Sequence, residues 1–325
     1  QPVRADEQFF PLQSYRVGPY AAGGTGFFGG FIDYLNLVNT RDGGVGGVKL
    51  TWEEGETQYE VERGVEVYER LKQRPGIATW NPLSVGIAYA LIDRVTADKV
   101  PLLTINHGRT DGRVFKYIFP LLLNPYSETS GIVNYIAGKE GGTDKLKGKK
   151  IVVLYHGSPY GKETIPVYEL LAKKYGFTLQ QIEVPHPGNE QQSQWLNIRR
   201  VKPDYVVLRR WGVMNRVALK TAQKTGFPVD HIVGNVWSNS EEDVIPAGDA
   251  AKGYVAITTV AAVYQSSEPV KMARRPNRSA TCEKTRAPMN RPAKVAAANA
   301  AWSVSPNSPL APAWNTPSAI SPGET

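Results

Sequence analysis

A loop, an amphipathic helix, a glycine-rich turn and a strand follow one another within residues 17–54. In the helical part, apolar side chains recur at the three- and four-residue spacing that gives a helix one buried stripe. The members of this predicted stripe are Phe27, Phe28, Phe31, Tyr34, Leu35 and Val38. Asn39 and the glycines after it predict the end of the helix, and the next strand is predicted to begin at Val48.

The same alternation of helix and strand continues to about residue 233. Further strands are predicted at residues 77–80, 101–105, 117–122, 150–155, 178–184, 205–209 and 231–233. Further helices are predicted at residues 59–72, 84–98, 127–138, 162–175, 191–201 and 214–225. Such alternation predicts an α/β fold in which parallel sheets are flanked by helices. About ten strands exceed a domain of average size, so we predict two lobes.

The loops of this alternation carry a family resemblance. The series VGPYAAGG, LVNTRDGGVGGVKLTWEEGE, NPLSVG, TINHGRTDG, YHGSPYG and LRRWGVMN resembles the cleft loops of periplasmic solute-binding proteins of the branched-chain (leucine, isoleucine and valine) amino acid type. The resemblance covers roughly residues 8–259. It implies the type I periplasmic binding fold, with two Rossmann-like lobes joined by a hinge. Lobe 1 is predicted at residues 1–120 with a return strand at 253–262, and lobe 2 at residues 121–252.

The resemblance also implies a function. Its members serve ABC importers: they bind one small-molecule ligand between the lobes, deliver it to membrane permease subunits, and catalyse nothing. We therefore expect a periplasmic monomer that needs no cofactor and no metal and binds no nucleic acid. Residues 3–5 (VRA) are interpreted as the end of a removed signal peptide. The sequence contains no apolar run near the roughly 20 residues that span a bilayer.

The segment from Gln265 to Thr325 has a different composition. It holds nine of the 24 prolines, one Leu, one Ile and no Tyr or Phe. We predict an irregular, disordered tail over residues 263–325, because so few apolar side chains cannot offset the entropy of ordering. The segment also carries +5 of the chain's net charge of +8, so the basic composition is poor support for nucleic-acid binding.

Ser84 is the first candidate ligand-binding residue, since it follows a predicted strand and starts a predicted helix. Its hydroxyl and the free amides of that helix terminus suit a carboxylate. On structural grounds alone, Ser84 is an ordinary N-cap. The resemblance adds that a hydroxyl residue here and the amides of the next cleft loop, Gly108, Arg109 and Thr110, hold a ligand carboxylate. Arg109 can add a bidentate contact, although a solvated arginine in a loop is an open alternative.

Aromatic residues at strand ends are the other candidates. Tyr160, Trp211 and Trp237 follow predicted strands of lobe 2, and Trp80 ends one in lobe 1. Together they favour a pocket for an apolar or aromatic ligand body, although each is also compatible with a position in the core. The resemblance implies an acidic residue near Trp237 in proteins that bind amino acids. Here Glu241 and Glu242 come several residues later, which leaves open whether the ligand has an α-amino group.

Two alternative functions are considered. The first is an NAD(P)-dependent oxidoreductase, because Gly24, Gly26 and Gly29 match the GxGxxG fingerprint. The fingerprint requires a buried strand directly before its glycines, and here the loop GPYAA intervenes. The second alternative is a ligand-sensing domain of a receptor, because the same bilobed fold serves both roles. The four histidines lie too far apart for a metal motif.

Overall fold

The computed structural model describes residues 7–105, 116–121 and 123–259. Nine strands lie within these ranges: β1 (Glu7–Ser14), β2 (Lys49–Glu56), β3 (Leu102–Ile105), β4 (Ile118–Leu121), β5 (Lys150–His156), β6 (Thr178–Val184), β7 (Tyr205–Arg209), β8 (Ile232–Gly234) and β9 (Val255–Ala256). The same ranges contain nine α-helices: α1 (Ala21–Asp42), α2 (Val61–Leu71), α3 (Val85–Asp98), α4 (Pro125–Glu140), α5 (Pro159–Lys162), α6 (Ile165–Tyr175), α7 (Gln192–Val201), α8 (Val213–Thr225) and α9 (Glu241–Val244).

The C-terminal half, residues 123–259, is built on one five-stranded parallel sheet. Its strand order is β6-β5-β7-β8-β9. The central strand β7 is buried at every position because helices cover both faces of the sheet. One face packs against α7 and α8 through residues such as Trp195 and Leu219, and the other packs against α4 and α6 through Ile132 and Tyr168. The predicted α/β class with parallel sheets flanked by helices is therefore confirmed.

The N-terminal half, residues 7–105 and 116–121, has two parallel strand pairs, β1-β2 and β3-β4. The predicted strand at residues 77–80 lies between them as isolated bridges. Ile77 pairs with Phe9, and Trp80 pairs with Leu102, so this segment connects the two pairs. Helices α2 and α3 pack on it through a core that includes Tyr68 and Leu91.

Helix α1 begins at Ala21, several residues before the predicted apolar stripe. It tolerates the early glycines because Gly24 packs against Tyr15: a Cβ at Gly24 would lie 2.0 Å from the Tyr15 carbonyl oxygen. Of the predicted stripe, Phe28, Leu35 and Val38 are buried, whereas Tyr34 is 48% exposed. The stripe is therefore narrower than the sequence spacing suggests.

The position of strand β9 corrects one assignment to lobe 1. The sequence predicts that residues 253–262 return to the first lobe as a strand. In the structure, Val255 pairs with Val233 and Ala256 with Gly234, which places β9 at the edge of the second sheet. The amide of Ile257 also donates to the Gly234 carbonyl at 3.0 Å, so local pairing with β8 continues past the strand.

The tail predicted at residues 263–325 lies outside the described residues, as does the end of the predicted return strand. The boundaries of the two lobes stay predictions. Within the described part of the chain, no helix combines the length and the apolar character needed to cross a membrane.

Candidate functional site

A cavity lies between the two halves of the chain, beyond the carboxyl ends of their strands. It contains about 270 Å³ of empty space, including its open mouth. Both halves line it: Tyr15, Tyr59, Leu83 and Val85 from the N-terminal half, and Tyr160, Trp211 and Trp237 from the C-terminal half. Open α/β sheets bind ligands at this edge. None of the seven lining residues is acidic or basic.

Two lining residues have unusual backbone conformations. Tyr59 has φ of 66° and Leu83 has φ of 44°, in the left-handed region that side chains with a Cβ rarely adopt. Local side chains hold both turns: the Leu83 amide donates to Asn81 Oδ1 at 3.0 Å and the Tyr59 amide to Thr57 Oγ1 at 3.2 Å. Such conformations cost about 1–3 kcal/mol each and cluster at ligand sites. Here they place both residues in the cavity wall.

Trp211 is the centre of the aromatic wall. Its ring centroid lies 4.7 Å from that of Tyr160 and 4.9 Å from that of Tyr59. On its other side, it lies 4.4 Å from the ring of His156 and 4.5 Å from the ring of Tyr20. Aromatic pairs at these distances contribute about 0.5–1.5 kcal/mol each beyond burial, so these contacts stabilise the position of the Trp211 ring in the wall.

Tyr20 connects the two halves beside this wall. Its hydroxyl lies 2.6 Å from Nε2 of His156 and is also hydrogen-bonded to Nδ1 of His186. Burial raises the pKa of Tyr20 above its usual value. Burial, together with the nearby His186 and Arg210, lowers the pKa of His156 to about 3. Tyr20 and His156 are therefore both neutral at pH 7, and their hydrogen bond holds the halves together.

A buried charge cluster supports the wall from behind. Arg209 donates from Nη1 to Glu128 Oε2 at 2.9 Å and from Nη2 to Glu163 Oε1 at 2.7 Å. Its guanidinium carbon lies 3.9 Å from the ring centroid of Tyr160. Glu128 Oε1 also accepts the Val236 amide at 2.5 Å. These contacts fix Tyr160 and the start of the turn that carries Trp237.

Ser84 is the N-cap of α3, as the sequence predicts. Its Oγ accepts the Ile87 amide at 3.4 Å, and its hydroxyl lies near the Tyr59 phenol. Ser84 is 2% exposed and stands between two lining residues, Leu83 and Val85. The structure thus places Ser84 next to the cavity, while its contact with a ligand stays a prediction.

Trp80 does not line the cavity. It is fully buried in the core of the N-terminal half, with its ring centroid 4.6 Å from that of Tyr68. Its bridge to Leu102 directs the side chain into the packing between α2, α3 and the sheet. Trp80 therefore occupies the core position that the sequence left open as the alternative. Gly108, Arg109 and Thr110 lie outside the described residues.

The glycine fingerprint considered for a dinucleotide does not have the required geometry. Gly24, Gly26 and Gly29 lie inside α1, and the Gly24 amide already donates to the Tyr20 carbonyl at 3.2 Å. A dinucleotide fingerprint needs its first glycines in the turn before the helix, where free amides meet the pyrophosphate. Helical hydrogen bonding in α1 removes that chemistry.

Several site residues have no clear signal in the sequence. Tyr15, Tyr59, Leu83 and Val85 each lie within a few residues of a strand end or a helix start, but nothing in their spacing indicates that they face one cavity. Tyr20 lies in the loop VGPYAAGG, whose resemblance to a ligand loop could have identified it. Among the described residues, no group of histidine, cysteine and acidic side chains is arranged to hold a metal ion.

The family profile described as periplasmic binding protein matches residues 10–299. The chain belongs to this family. The resemblance deduced from the cleft loops is confirmed at that level, and the match extends beyond residue 259 into the segment predicted to be irregular. Proteins of the periplasmic binding protein family bind small ligands; the branched-chain amino acid type stays a prediction. The search of curated proteins found no match.

Solved structures of other proteins share the fold. A protein from the Pseudomonas fluorescens group, described as an ABC transporter permease, is 55% identical with a TM-score of 0.69, over 78% of this chain and 62% of that one. A solute-binding protein of an ABC transporter from R. palustris, in complex with benzoate, is 18% identical with a TM-score of 0.64, over 76% and 67%. A branched-chain amino acid ABC transporter protein from Thermus thermophilus, with bound valine, is 20% identical with a TM-score of 0.66, over 76% and 64%. This periplasmic binding protein thus spans about three fifths to two thirds of their lengths.

Proposed function

We propose that this periplasmic binding protein is the substrate-binding component of an ABC importer. It captures a small organic solute between its halves and delivers the solute to membrane permease subunits, outside the cytoplasm and without chemical turnover. The observation that carries the proposal is the cavity itself, because seven residues from both halves line it and two of them hold left-handed conformations. A ligand that contacts both halves stabilises the closed arrangement, which is what a permease can recognise.

The ligand that fits this cavity best is a small apolar carboxylate. The seven lining residues are all aromatic or aliphatic, which suits the apolar body of a small ligand. An α-ammonium group would find no carboxylate among the seven lining residues. Benzoate in one structural relative and valine in another illustrate the size of ligand that this fold accommodates.

The carboxylate is anchored at the start of α3. The first amides of a helix lack intrahelical partners and carry partial positive charge, and Leu83 and Val85 bring this terminus to the cavity wall. Ser84 stands between them, and its hydroxyl can turn from Tyr59 to the ligand. The loop with Gly108, Arg109 and Thr110 completes the anchor in this proposal, as the family resemblance implies. Tyr160, Trp211 and Trp237 enclose the apolar body.

A thermal-shift screen should therefore rank carboxylates first. At 100 times its dissociation constant, a bound ligand stabilises the protein by about 2.7 kcal/mol. We expect benzoate and cyclohexanecarboxylate to raise the melting temperature, and benzamide and phenylalanine to raise it much less. Benzamide keeps the ring and loses the charge, whereas phenylalanine adds an ammonium group. A preference for phenylalanine over benzoate would contradict the proposed ligand class, and product formation from a bound acid would contradict the absence of catalysis.

Substitution of Ser84 tests the anchor. Ser84→Ala is expected to weaken binding of the best carboxylate by about 1.5–3 kcal/mol, or roughly one to two decades, because a hydrogen bond to a charged group is lost. Calorimetry on the folded variant measures this loss.

The matched control for this substitution is Asn124→Ala. Asn124 is the N-cap of α4, where its Oδ1 accepts the Tyr126 amide at 2.8 Å, and it does not line the cavity. Each variant loses one cap, which costs about 0.5–2 kcal/mol of stability. Only Ser84→Ala should lose affinity, and equal affinities in the two variants would remove Ser84 from the site.

A further inference from the structure

Arg210 is fully buried, and its side chain has a single hydrogen-bond partner among the described residues. Its Nη1 donates to Gln191 Oε1 at 2.6 Å, while Nε and Nη2 have no acceptor in the described part of the chain. Burial lowers the pKa of Arg210 to about 9, so the side chain is still a cation at pH 7. An unpaired buried charge costs several kcal/mol, and a fold retains one only where something compensates it.

Arg209, the residue before Arg210, differs from it in having ion-pair partners. Arg209 is equally buried, and two carboxylates, Glu128 and Glu163, pair with it. Within the described ranges, no acidic side chain forms an ion pair with Arg210. Successive residues at the end of β7 point to opposite faces of the sheet, so the carboxylates of the Arg209 cluster lie on the other side. The described surroundings of Arg210 therefore lack one negative charge.

The surroundings of Arg210 are fixed rather than loose. Gln191 Nε2 donates to the carbonyl oxygens of Gly188 and Met214, each at 2.9 Å. These two bonds orient the amide so that its oxygen faces Arg210. Gly188 packs tightly here, because a Cβ on it would lie 2.4 Å from the side chain of Met214. The guanidinium is thus held in one position with two donors to spare.

His156 adds a further donor close to Arg210. Its Nδ1 is buried without a partner in the described residues. Tyr155 pairs with Arg209 across β5 and β7, so the next residue of each segment, His156 and Arg210, lie side by side. When the Tyr20 hydroxyl donates to Nε2, the proton of the neutral ring lies on Nδ1. Trp211, which lines the cavity, also has an unpartnered indole N–H among the described atoms. The spare polar groups of these three residues are thus donors.

His156 and Arg210 also lie at a point of the sheet where ligands commonly bind in α/β folds. His156 ends β5 and Arg210 follows β7, and these strands are neighbours. In the strand order of the sheet, β6 is the neighbour of β5 on one side and β7 is its neighbour on the other. The direction in which the chain adds strands therefore reverses between β5 and β7. The crevice between two such strands, at the topological switch point, is where open α/β sheets bind ligands.

We propose that Arg210, with Nδ1 of His156, forms an anion subsite that binds a carboxylate or an inorganic oxyanion of similar size. Two guanidinium nitrogens suit the two oxygens of such a group. The anion supplies the negative charge that the described residues lack on this face of the sheet. It is either the carboxylate of a second ligand group that reaches past Trp211 or a free anion. Tyr20 covers the site from the N-terminal half.

Formate, the smallest carboxylate, is the probe. We expect sodium formate at pH 7.5 to raise the melting temperature of the full chain in a saturable manner. Arg210→Met should weaken formate binding at least tenfold. Arg199→Met is the matched control, because it removes the same charge from an exposed position on α7 and should leave formate binding unchanged. Comparison of the two variants cancels the general effects of salt.

Equal formate responses in the two variants would overturn the proposal. If Arg210→Met does not fold, Arg210→Lys and nitrogen-15 NMR of the wild-type Arg210 Nε replace it. An Nε signal that does not move with formate would overturn the proposal as well. Terephthalate, an aromatic dicarboxylate, then separates the two sources of the anion: competition with formate assigns Arg210 to a second carboxylate of the ligand, and independent binding assigns it to a free anion. Since formate binding needs no organic solute, failure of the ligand screen leaves this test intact.

Discussion

Replacement of Arg209 by methionine is expected to destabilise the protein by about 3–5 kcal/mol, because it leaves two buried carboxylates without their cation. Glu128 and Glu163 are each 1% exposed in their side chains and lie on opposite arms of one guanidinium. Methionine fills a similar volume, so the loss reports the charge rather than a cavity. Urea denaturation followed by tryptophan fluorescence measures the change in the free energy of unfolding.

The same substitution one residue later is the internal control. Arg210→Met removes a buried cation that has no carboxylate partner among the described residues. Removal of this unpaired charge is favourable and offsets the loss of the hydrogen bond to Gln191. In anion-free buffer we expect Arg210→Met to cost well under the Arg209→Met value, within the roughly 1–3 kcal/mol of one unsatisfied Gln191 oxygen. If both variants lost equal stability, the contrast between the two arginines would be wrong.

The Arg209 cluster also shows what sequence reasoning cannot reach. The sequence LRRWG predicts a strand end followed by a loop, and β7 does end at Arg209. The burial of both arginines depends on partners far along the chain: Glu128 is 81 residues away from Arg209, and Glu163 is 46. No local pattern reports such pairs, so two charged residues in a row look solvated in the sequence.

The elements of the C-terminal half were predictable because their signals are local. The apolar runs at residues 150–155 and 205–209 are too continuous for an exposed strand, and both became buried strands of a parallel sheet. Ser84 likewise begins α3 because a short polar side chain precedes an apolar run. Prediction worked where propensity and burial pointed to the same element.

Trp80 and α1 show the limits of the same signals. An aromatic residue at a strand end can face the cleft or the core, and only the register of the bridge with Leu102 decides this for Trp80. Helix α1 extends through the two glycines of AAGG, which propensity disfavours. Gly24 packs against Tyr15, so a tertiary contact overrides the local preference there. The cavity residues Tyr59 and Leu83 were missed for a related reason, since their left-handed conformations have no residue-type signal.

Acidification should destabilise the protein through His156. The usual pKa of 6.5 applies in the unfolded chain, and burial lowers the folded value to about 3. Between these two values, the unfolded state binds a proton that the folded state excludes. The free energy of unfolding therefore decreases as the pH falls through this window, by about 1.4 kcal/mol per pH unit. We expect a contribution of roughly 3 kcal/mol between pH 7 and pH 4.

Denaturation of wild type and His156→Gln at pH 7, 6, 5 and 4 isolates this contribution. Glutamine can keep a hydrogen bond with Tyr20 and cannot be protonated, so its free energy of unfolding should fall less steeply with acid. Carboxylates elsewhere titrate in both proteins and cancel in the difference. The side chains of His186, Arg210, Tyr20 and Trp211 face His156 and are the same in both proteins. Wild type should lose roughly 3 kcal/mol more than the variant between pH 7 and pH 4, and parallel profiles would show that His156 accepts its proton in the folded state.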